Sequence, residues 1–195
     1  MTQPDAIADK QDMILTAAFH AFAAYGFRRA TMGDIARGAG MSRTALYLHF
    51  KNKEDIFRSL AARYFDEAIR DMRIALARPG QSPAQALHAA FIAKDGKFMD
   101  VVLGTPHGRE LLDAGFSLSA DLAEAGEARM AEELTGFLQR HQIAPDLGTA
   151  EELSHTLNAA LKGLKLSAGS VAEYRAGRAR LANLFAMALT MATDG

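Results

Sequence analysis

The sequence contains no cysteine and no tryptophan, and the first of these absences limits what the protein can be. Without thiols, disulfides, thiolate metal sites and cysteine nucleophiles are all excluded, and a reducing, cytoplasmic location is expected. The first residues, MTQPDAIADKQD, are acidic and polar where a signal peptide would be basic and then apolar. No apolar run approaches the roughly 18 residues of a membrane span, so we expect a soluble protein without membrane association.

Signs of catalysis and of metal binding are also scarce. The six histidines are scattered, and none is paired with another histidine or a carboxylate in a recognised ligand spacing. The segment His107-Gly108-Arg109-Glu110 has the look of an active-site turn. It has no nucleophile, glycine-rich phosphate loop or paired carboxylate to work with. The sequence therefore predicts no enzyme activity, no metal site and no cofactor.

Charge is nearly balanced over the whole chain, with a formal net charge of −1, but it is unevenly distributed. Residues 1–63 carry nine Lys and Arg against six Asp and Glu, whereas residues 64–195 carry thirteen against seventeen. A basic end on an acidic body is typical of a protein that presents one end to a polyanion. The alternative is an ordinary solvated face, and a motif has to decide between the two.

Apolar residues recur at helical spacing along the chain, which predicts an all-α fold. Gly26 stands where a left-handed C-terminal cap of the first helix belongs, and Thr31 with Asp34 predicts a capping box for the second. Ser42 and Asn52 are placed to cap a third and a fourth helix. The apolar face of the first helix is predicted at Met13, Ile14, Ala17, Ala18, Ala21, Phe22 and Tyr25.

The clearest boundary is the segment RPGQSP at residues 78–83, where the fourth helix should end. Further helices follow, with interruptions expected near residues 104–108, 115–117 and 144–148. A helix is predicted from about Thr149 to Ala168, and another follows it to near the end of the chain. The sequence shows no strand alternation and no internal repeat.

The segment TMGDIARGAGMSRTALYLHFKNKEDIF, residues 31–57, carries the functional signal. Two short helices joined by a tight turn place the second helix in a DNA major groove. Ala36 lets the two helices approach closely, Gly40 permits the turn, and Leu46 and Phe50 belong to the core. The ordered set comprises Gly26-Phe27, Thr31, Asp34-Ile35-Ala36, Ala39-Gly40-Met41-Ser42, Ala45-Leu46-Tyr47, His49-Phe50 and Asn52-Lys53-Glu54. Over roughly residues 10–65 it resembles the DNA-binding domain of the tetracycline-repressor (TetR/AcrR-like) family of bacterial regulators.

The resemblance implies an N-terminal three-helix helix-turn-helix DNA-binding domain in residues 8–52. Residues 53–195 would form a C-terminal helical ligand-binding and dimerisation domain, with residues 53–78 as the connecting helix. It further implies a homodimeric repressor that binds a palindromic operator in double-stranded DNA and is released by a small molecule. An activator or dual regulator of the same fold, a helical interaction protein without DNA binding and a small-molecule enzyme remain as alternatives.

The resemblance also implies roles for individual residues on the DNA. Arg43 and Thr44 would read bases, and Leu48 would contact a thymine methyl group. Hydroxyl, phenol, imidazole and ammonium groups are all hydrogen-bond donors that can bind phosphates. For two residues a structural role is the alternative to such a contact: Tyr47 could pack on the first helix, and His49 could be an ordinary solvated residue. Phosphate contacts are predicted for Thr31, Tyr47, His49 and Lys53, and backbone or minor-groove contacts for Arg28 and Arg29. The complete predicted DNA-binding set is Arg28, Arg29, Thr31, Ser42, Arg43, Thr44, Tyr47, Leu48, His49, Lys51 and Lys53.

Gly33 departs from the pattern of the family. Many relatives place a base-reaching side chain at this position, and glycine has none. Base recognition in this protein should therefore depend more heavily on Arg43, Thr44 and Leu48.

The second half of the chain is expected to hold an effector that is a partly apolar small molecule. Such pockets are lined mainly by apolar and aromatic side chains with a few polar anchors. The alternative for each candidate is ordinary core packing. The candidates are Phe91, Phe98, Met99, Val102, Phe116, Met130 and Phe137, with His107 and His155 as polar groups.

The last two helices each carry a widened apolar arc, which is typical of a helix that serves both a core and a partner. Two such helices from each of two subunits would form a four-helix interface. Burial in the core of a monomer is the alternative. The predicted dimer residues are Leu157, Leu161, Leu164, Leu181, Leu184, Ala188 and Met191.

Overall fold

The computed structural model describes residues 3–141, 143 and 147–190, apart from the side chains of residues 3–8, 96, 97, 115, 116, 188 and 190. These residues form nine α-helices and no strand, which confirms the predicted all-α class. None of the described helices is long and apolar enough to cross a lipid bilayer. The helices are α1 (Gln3–Tyr25), α2 (Met32–Gly38), α3 (Arg43–Tyr47), α4 (Lys53–Ala77), α5 (Pro83–Gly104), α6 (Arg109–Leu118), α7 (Ala120–Gln139), α8 (Ala150–Ser167) and α9 (Val171–Thr190).

The helix ends lie where local sequence signals place them. Gly26 ends α1 with φ +80°, and Gly40 adopts φ +66° in the turn after α2. Residues other than glycine rarely adopt such a left-handed backbone conformation. Thr31 and Asp34 form the predicted capping box, and the Ser42 hydroxyl accepts the backbone N–H of Ala45 at 3.1 Å. The predicted caps of the second and third helices are therefore confirmed.

One predicted interruption is wrong. Helix α6 runs without a break from Arg109 to Leu118, so the segment 115–117 is helical and the break falls at Ser119. The hydroxyl of Ser117 donates to the carbonyl of Ala114 at 3.2 Å, one turn earlier. A serine that bonds back to the preceding turn is accommodated inside a helix and does not end it.

The chain divides into two compact units. Unit 1 comprises Met1–Tyr64 and Val101–Ala123, and unit 2 comprises Phe65–Asp100 and Glu124–Gly195. Helix α4 therefore supplies residues to both units. The domain division predicted between residues 52 and 53 remains a prediction.

The buried apolar residues of unit 1 come from the first four helices and also from α6, where Leu111 and Ala114 are buried. Ile35, Leu46 and Phe50 are buried, as the sequence predicts. Three aromatic rings, those of Phe22, Phe27 and Phe57, lie with centroids 5.2 to 5.9 Å apart, the spacing of favourable aromatic pairs. Met13 and Tyr25 were predicted on the apolar face of α1 but are 54% and 51% exposed, because Met13 lies beside the buried arc and Tyr25 is the last residue of the helix.

Unit 2 has a core of its own. Residues of α4, α5, α7, α8 and α9 contribute to it, among them Met72, Phe91, Met130 and Leu161. Gly126 on α7 faces the ring of Phe65, and a Cβ atom at this position would overlap the ring. The absence of a side chain at Gly126 therefore lets α7 approach α4 closely.

Candidate nucleic-acid interface

The helix-turn-helix in unit 1 is held by short-range bonds. After α2, the backbone N–H of Met41 donates to the carbonyl of Ala36 at 3.0 Å, which closes the turn that Gly40 makes possible. The backbone N–H of Leu46 donates to the carbonyl of Ser42 at 3.1 Å, and its side chain is fully buried. These contacts fix the rotation of α3 about its axis, and so they decide which of its side chains reach solvent.

The exposed side of α3 carries four side chains, those of Arg43, Thr44, Tyr47 and Leu48. Leu48 is 82% exposed, an unusual position for a large apolar residue, and Tyr47 is 46% exposed. The contacts that the structure gives Tyr47 are with Arg43 on the same helix. A guanidinium, two hydroxyls and an apolar group on one short helix match the chemistry of base edges, phosphates and thymine methyl groups.

Arg43 and Tyr47 form a pair on this surface. The Nη2 atom of Arg43 donates to the hydroxyl of Tyr47 at 3.3 Å, and the guanidinium carbon lies 5.6 Å from the ring centroid. The hydrogen bond to Tyr47 raises the pKa of Arg43 above its ordinary value. Tyr47, one turn further along α3, therefore restricts the conformations that the Arg43 side chain can adopt.

The other side chains predicted to contact DNA differ in their exposure and in the hydrogen bonds that they already make. Arg28, Arg29 and Lys51 are exposed, and His49 is half-buried. The hydroxyl of Thr31 donates to the Asp34 carboxylate at 2.6 Å and accepts the backbone N–H of Asp34 at 3.2 Å. Cap formation therefore engages the donor that a phosphate contact from Thr31 would use.

Lys53 has a role that the sequence does not reveal. Its Nζ atom donates to the carbonyl oxygens of Phe27, Arg28 and Ala30 at 2.9, 2.9 and 3.4 Å, and it lies 4.8 Å from the centroid of the Phe27 ring. An ammonium group has three N–H donors, and these three bonds use all of them. In the free protein Lys53 therefore clamps the α1–α2 connection, and a phosphate contact would require these bonds to be given up.

Asp34 belongs to α2, and its carboxylate is partly buried. Hydrogen bonds from Thr31, assisted by the charge of Arg37 at 3.3 Å, hold the pKa of Asp34 below its usual value. The group is therefore ionised at neutral pH, and its charge is committed to the helix cap and to Arg37.

The predicted effector-binding residues do not gather into one group. Phe91, Met130 and Phe137 are buried in the core cluster of unit 2, the ordinary packing role weighed for them. Val102 and His107 belong to unit 1, where His107 Nδ1 lies 3.2 Å from Glu110 Oε1. Met99 is fully buried and Phe98 partly so, whereas the side chain of Phe116 lies outside the described part. His155 is exposed on α8, and its assignment as a polar group of the pocket remains a prediction.

The predicted dimer residues also separate. Leu157 and Leu161 are fully buried in the core of their own unit, so their prediction as interface residues is wrong for this fold. Leu164 and Leu181 are partly buried, and Leu184 is 62% exposed, whereas the side chains of Ala188 and Met191 lie outside the described part.

Two exposed apolar residues on these helices were missed. Leu166 on α8 and Met187 on α9 are 53% and 61% exposed. The most regular leucine stripe in the sequence lies on the side of α8 that faces the core. Its periodicity therefore does not identify the apolar residues on the exposed side. The signal that could have found Met187 is its spacing of three residues from Leu184.

Comparison with known proteins gives a consistent result. Residues 14–60 match the family model described as bacterial regulatory proteins, tetR family. The chain is 41% identical over 56 residues to the HTH-type transcriptional repressor BepR of Brucella suis, covering 29% of this chain and 27% of the relative. It is 31% identical over 104 residues to the HTH-type transcriptional activator FasR of Mycolicibacterium smegmatis, covering 53% of this chain and 45% of the relative. These matches thus span less than half the length of either relative.

The whole fold is also similar to solved structures. A transcriptional regulator from Rhodococcus superposes with a TM-score of 0.69 at 22% identity, over 93% of this chain and 97% of that one. At this identity the likeness concerns the fold. The family model covers the N-terminal part of the chain that contains the helix-turn-helix.

Proposed function

Because the chain belongs to the TetR family of bacterial transcriptional regulators, we propose that it is a homodimeric repressor that binds a palindromic operator and leaves it when a small molecule binds. The observation that carries the proposal is the exposed set on α3, with Arg43 supported by Tyr47 and Leu48 presented to solvent. An exposed leucine beside an arginine on a capped, rigidly seated helix is well suited to read base edges in a major groove.

In this proposal the contacts divide into two classes. Arg43, Thr44 and Leu48 read bases, and Gly33 contributes no side chain to recognition. Phosphates are bound by the exposed donors Arg28, Arg29, Ser42, Tyr47 and Lys51, with His49 at the margin of the surface. Contacts of the first class set specificity, whereas those of the second set affinity and its dependence on salt.

A homodimer is supported by the exposed faces of the last two helices. Leu166, Leu184 and Met187 expose more than half of their surface, although most large apolar side chains of unit 2 are buried. Isologous packing of α8 and α9 from two subunits would cover them and would hold two α3 helices about 34 Å apart, one turn of DNA.

Release by a ligand requires two arrangements of the protein that differ in affinity for the operator. Helix α4 is continuous from Lys53 to Ala77 and supplies residues to both units, so it is the element we expect to carry the change. A ligand shifts the balance only by the difference in its affinity for the two arrangements.

The decisive experiment is a titration of the purified protein against its own upstream DNA at several salt concentrations, with a scrambled sequence as control. We expect preference for a palindrome and a linear fall of log affinity with log salt. Binding that shows no sequence preference would overturn the proposal. A promoter assay distinguishes repression from activation, the activity named for FasR, and light scattering distinguishes a dimer from a monomer.

A further inference from the structure

Unit 2 contains a network of charged and polar side chains that begins in its core at the buried Lys94 and Asp95 and extends to Glu127, whose side chain is 32% exposed. Lys94 on α5 donates to Glu127 Oε2 at 2.8 Å and to Asn158 Oδ1 at 2.9 Å. On α8, Lys165 lies 2.7 Å from Asp95 Oδ1 and 3.9 Å from Glu127 Oε1. Charges are tolerated in a core when they are paired in this way.

Tyr174 on α9 completes the network. Its hydroxyl donates to Asp95 Oδ2 at 3.1 Å, so both oxygens of Asp95 are engaged. Burial raises the pKa of Tyr174, and the Asp95 carboxylate raises it further, so the phenol stays protonated and remains a donor. Although burial opposes it, the charges of Asp95 and Glu127 raise the pKa of Lys165, which stays charged.

Arg178 interacts with the Tyr174 hydroxyl, whose pKa it lowers, but it has no carboxylate partner among the described residues. It lies one turn after Tyr174, with its guanidinium carbon 5.6 Å from that ring, and only 5% of the residue is exposed. Among the described residues, its Nε and Nη1 atoms are buried without a hydrogen-bond partner. An always-charged group that is buried with unmade hydrogen bonds is costly, which is why such donors normally have partners.

The charges of these side chains indicate what charge a ligand near Arg178 would carry. Lys94, Lys165 and Arg178 carry three positive charges, whereas Asp95 and Glu127 carry two negative ones. Among these five residues the surplus is one positive charge, and Arg178 is the cation that has no carboxylate partner among the described residues. A monoanion would neutralise it and accept the free N–H groups in charge-assisted hydrogen bonds.

The surroundings of Arg178 along α9 are apolar. Ala182, one turn further along the helix, is fully buried in the core cluster of unit 2, and Phe185 packs against that cluster. A molecule held at Arg178 would therefore have a charged end at the guanidinium and an apolar body toward the core.

From these observations we infer that Arg178 is the anchor of an effector site, and that the effector is a small organic monocarboxylate with an apolar body. The inference rests on the proposed function in assuming that a small molecule acts on this unit. It adds the chemical class of that molecule and the residue that binds its charge.

The test measures thermal stability of the purified protein, without DNA, with three acids and their neutral counterparts. Hexanoate, octanoate and benzoate are compared with hexanamide, octanamide and benzamide at equal concentration. We expect at least one acid to raise the Tm more than its amide, because a ligand of the native state stabilises in proportion to its binding. The Arg178→Met variant should lose at least about tenfold in affinity for that acid, since hydrogen bonds to charged groups are among the stronger ones.

Controls separate binding from structure. Arg175→Met is the matched variant: Arg175 lies on the same helix, exposed and already bonded to Asp100 at 2.7 Å, so it should keep the full response to the acid. Arg178→Lys should retain part of the response because it keeps the charge, and Arg178→Gln replaces the methionine variant if that variant does not fold. A merely structural arginine would lower the Tm when replaced but would leave the difference between acid and amide unchanged.

Several results would overturn the inference. They are amides that act as well as acids, an acid response that survives in Arg178→Met, and a full Arg178-dependent shift with inorganic phosphate alone. Because no DNA is present, the outcome is independent of operator binding. A protein that binds acids through Arg178 but no operator would refute only the repressor proposal, and one released from its operator by neutral molecules alone would refute only this inference.

Discussion

The clamp formed by Lys53 makes a prediction that separates stability from DNA contact. Replacing Lys53 with methionine keeps the length of the side chain but removes the ammonium that bridges the carbonyls of Phe27, Arg28 and Ala30. We expect the variant to be less stable than the wild type even in the absence of DNA, because three carbonyls lose a charged donor.

The size of the effect follows from the geometry. Two of the bonds are short and one is long, and the side chain is only partly buried, so water replaces part of the interaction. Hydrogen bonds to charged groups contribute about 1.5–3 kcal/mol and an exposed cation–π contact about 0.5–1 kcal/mol, which leads us to expect a total loss of about 2–3 kcal/mol. For a chain of this size that corresponds to a fall in Tm of roughly 5–10 °C.

The assay is thermal and denaturant unfolding of the full chain, together with DNA titration at several salt concentrations. Lys51→Met is the matched control, because Lys51 is exposed two residues away and is predicted to contact phosphate. That variant should keep its stability to within about 0.5 kcal/mol, and the slope of its log affinity against log salt should fall by about 0.9 for each phosphate that it no longer neutralises. If Lys53→Met were as stable as the wild type and showed this reduced slope instead, the clamp would have no energetic role.

Three further predictions concern other residues. Arg43→Ala should relax base preference at one operator position by about 1–3 kcal/mol, measured by competition with operators altered at single bases. Gly26→Ala should lower the free energy of unfolding by at least about 1–2 kcal/mol, because the backbone there has φ +80°. A Cβ atom at Gly26 would also overlap the Glu110 carboxylate, so the loss should be smaller in a Glu110→Ala background; an equal loss would count against the overlap. Bonding to Arg58 lowers the pKa of Asp121 from 3.8 to about 2, so the stability it adds is present above pH 3.8 and lost as pH falls through about 2. The stability difference between wild type and Asp121→Asn should shrink over that interval in acid unfolding curves, and a constant difference would contradict the assignment.

What the sequence predicts well in this protein is local. The caps at Thr31 and Ser42 involve residues three positions apart, so the pattern of residue types contains nearly all of the required information. The same holds for Gly26 and Gly40, where a positive φ follows from the residue type and its place at a helix end.

What it predicts poorly depends on contacts between distant parts of the chain. The carbonyls that hold Lys53 come from residues 23 to 26 positions earlier, and no spacing rule connects them. Leu157 and Leu161 form a clear apolar stripe, but periodicity shows only that a face is apolar and not which surface covers it. In the sequence Arg178 is one more cation on a helix, and it is distinguished only by the burial of its Nε and Nη1 atoms without a hydrogen-bond partner among the described residues.

The position of Lys53 has a practical consequence for dissecting the protein. A fragment that stopped at residue 52 would contain every residue predicted to read bases, yet it would lack both the ammonium of Lys53 and the ring of Phe57 that packs on Phe22 and Phe27. We expect such a fragment to be unstable alone. The shortest fragment that folds on its own should extend past Phe57 into α4. Helix α4 therefore contributes to the core of unit 1 as well as to unit 2.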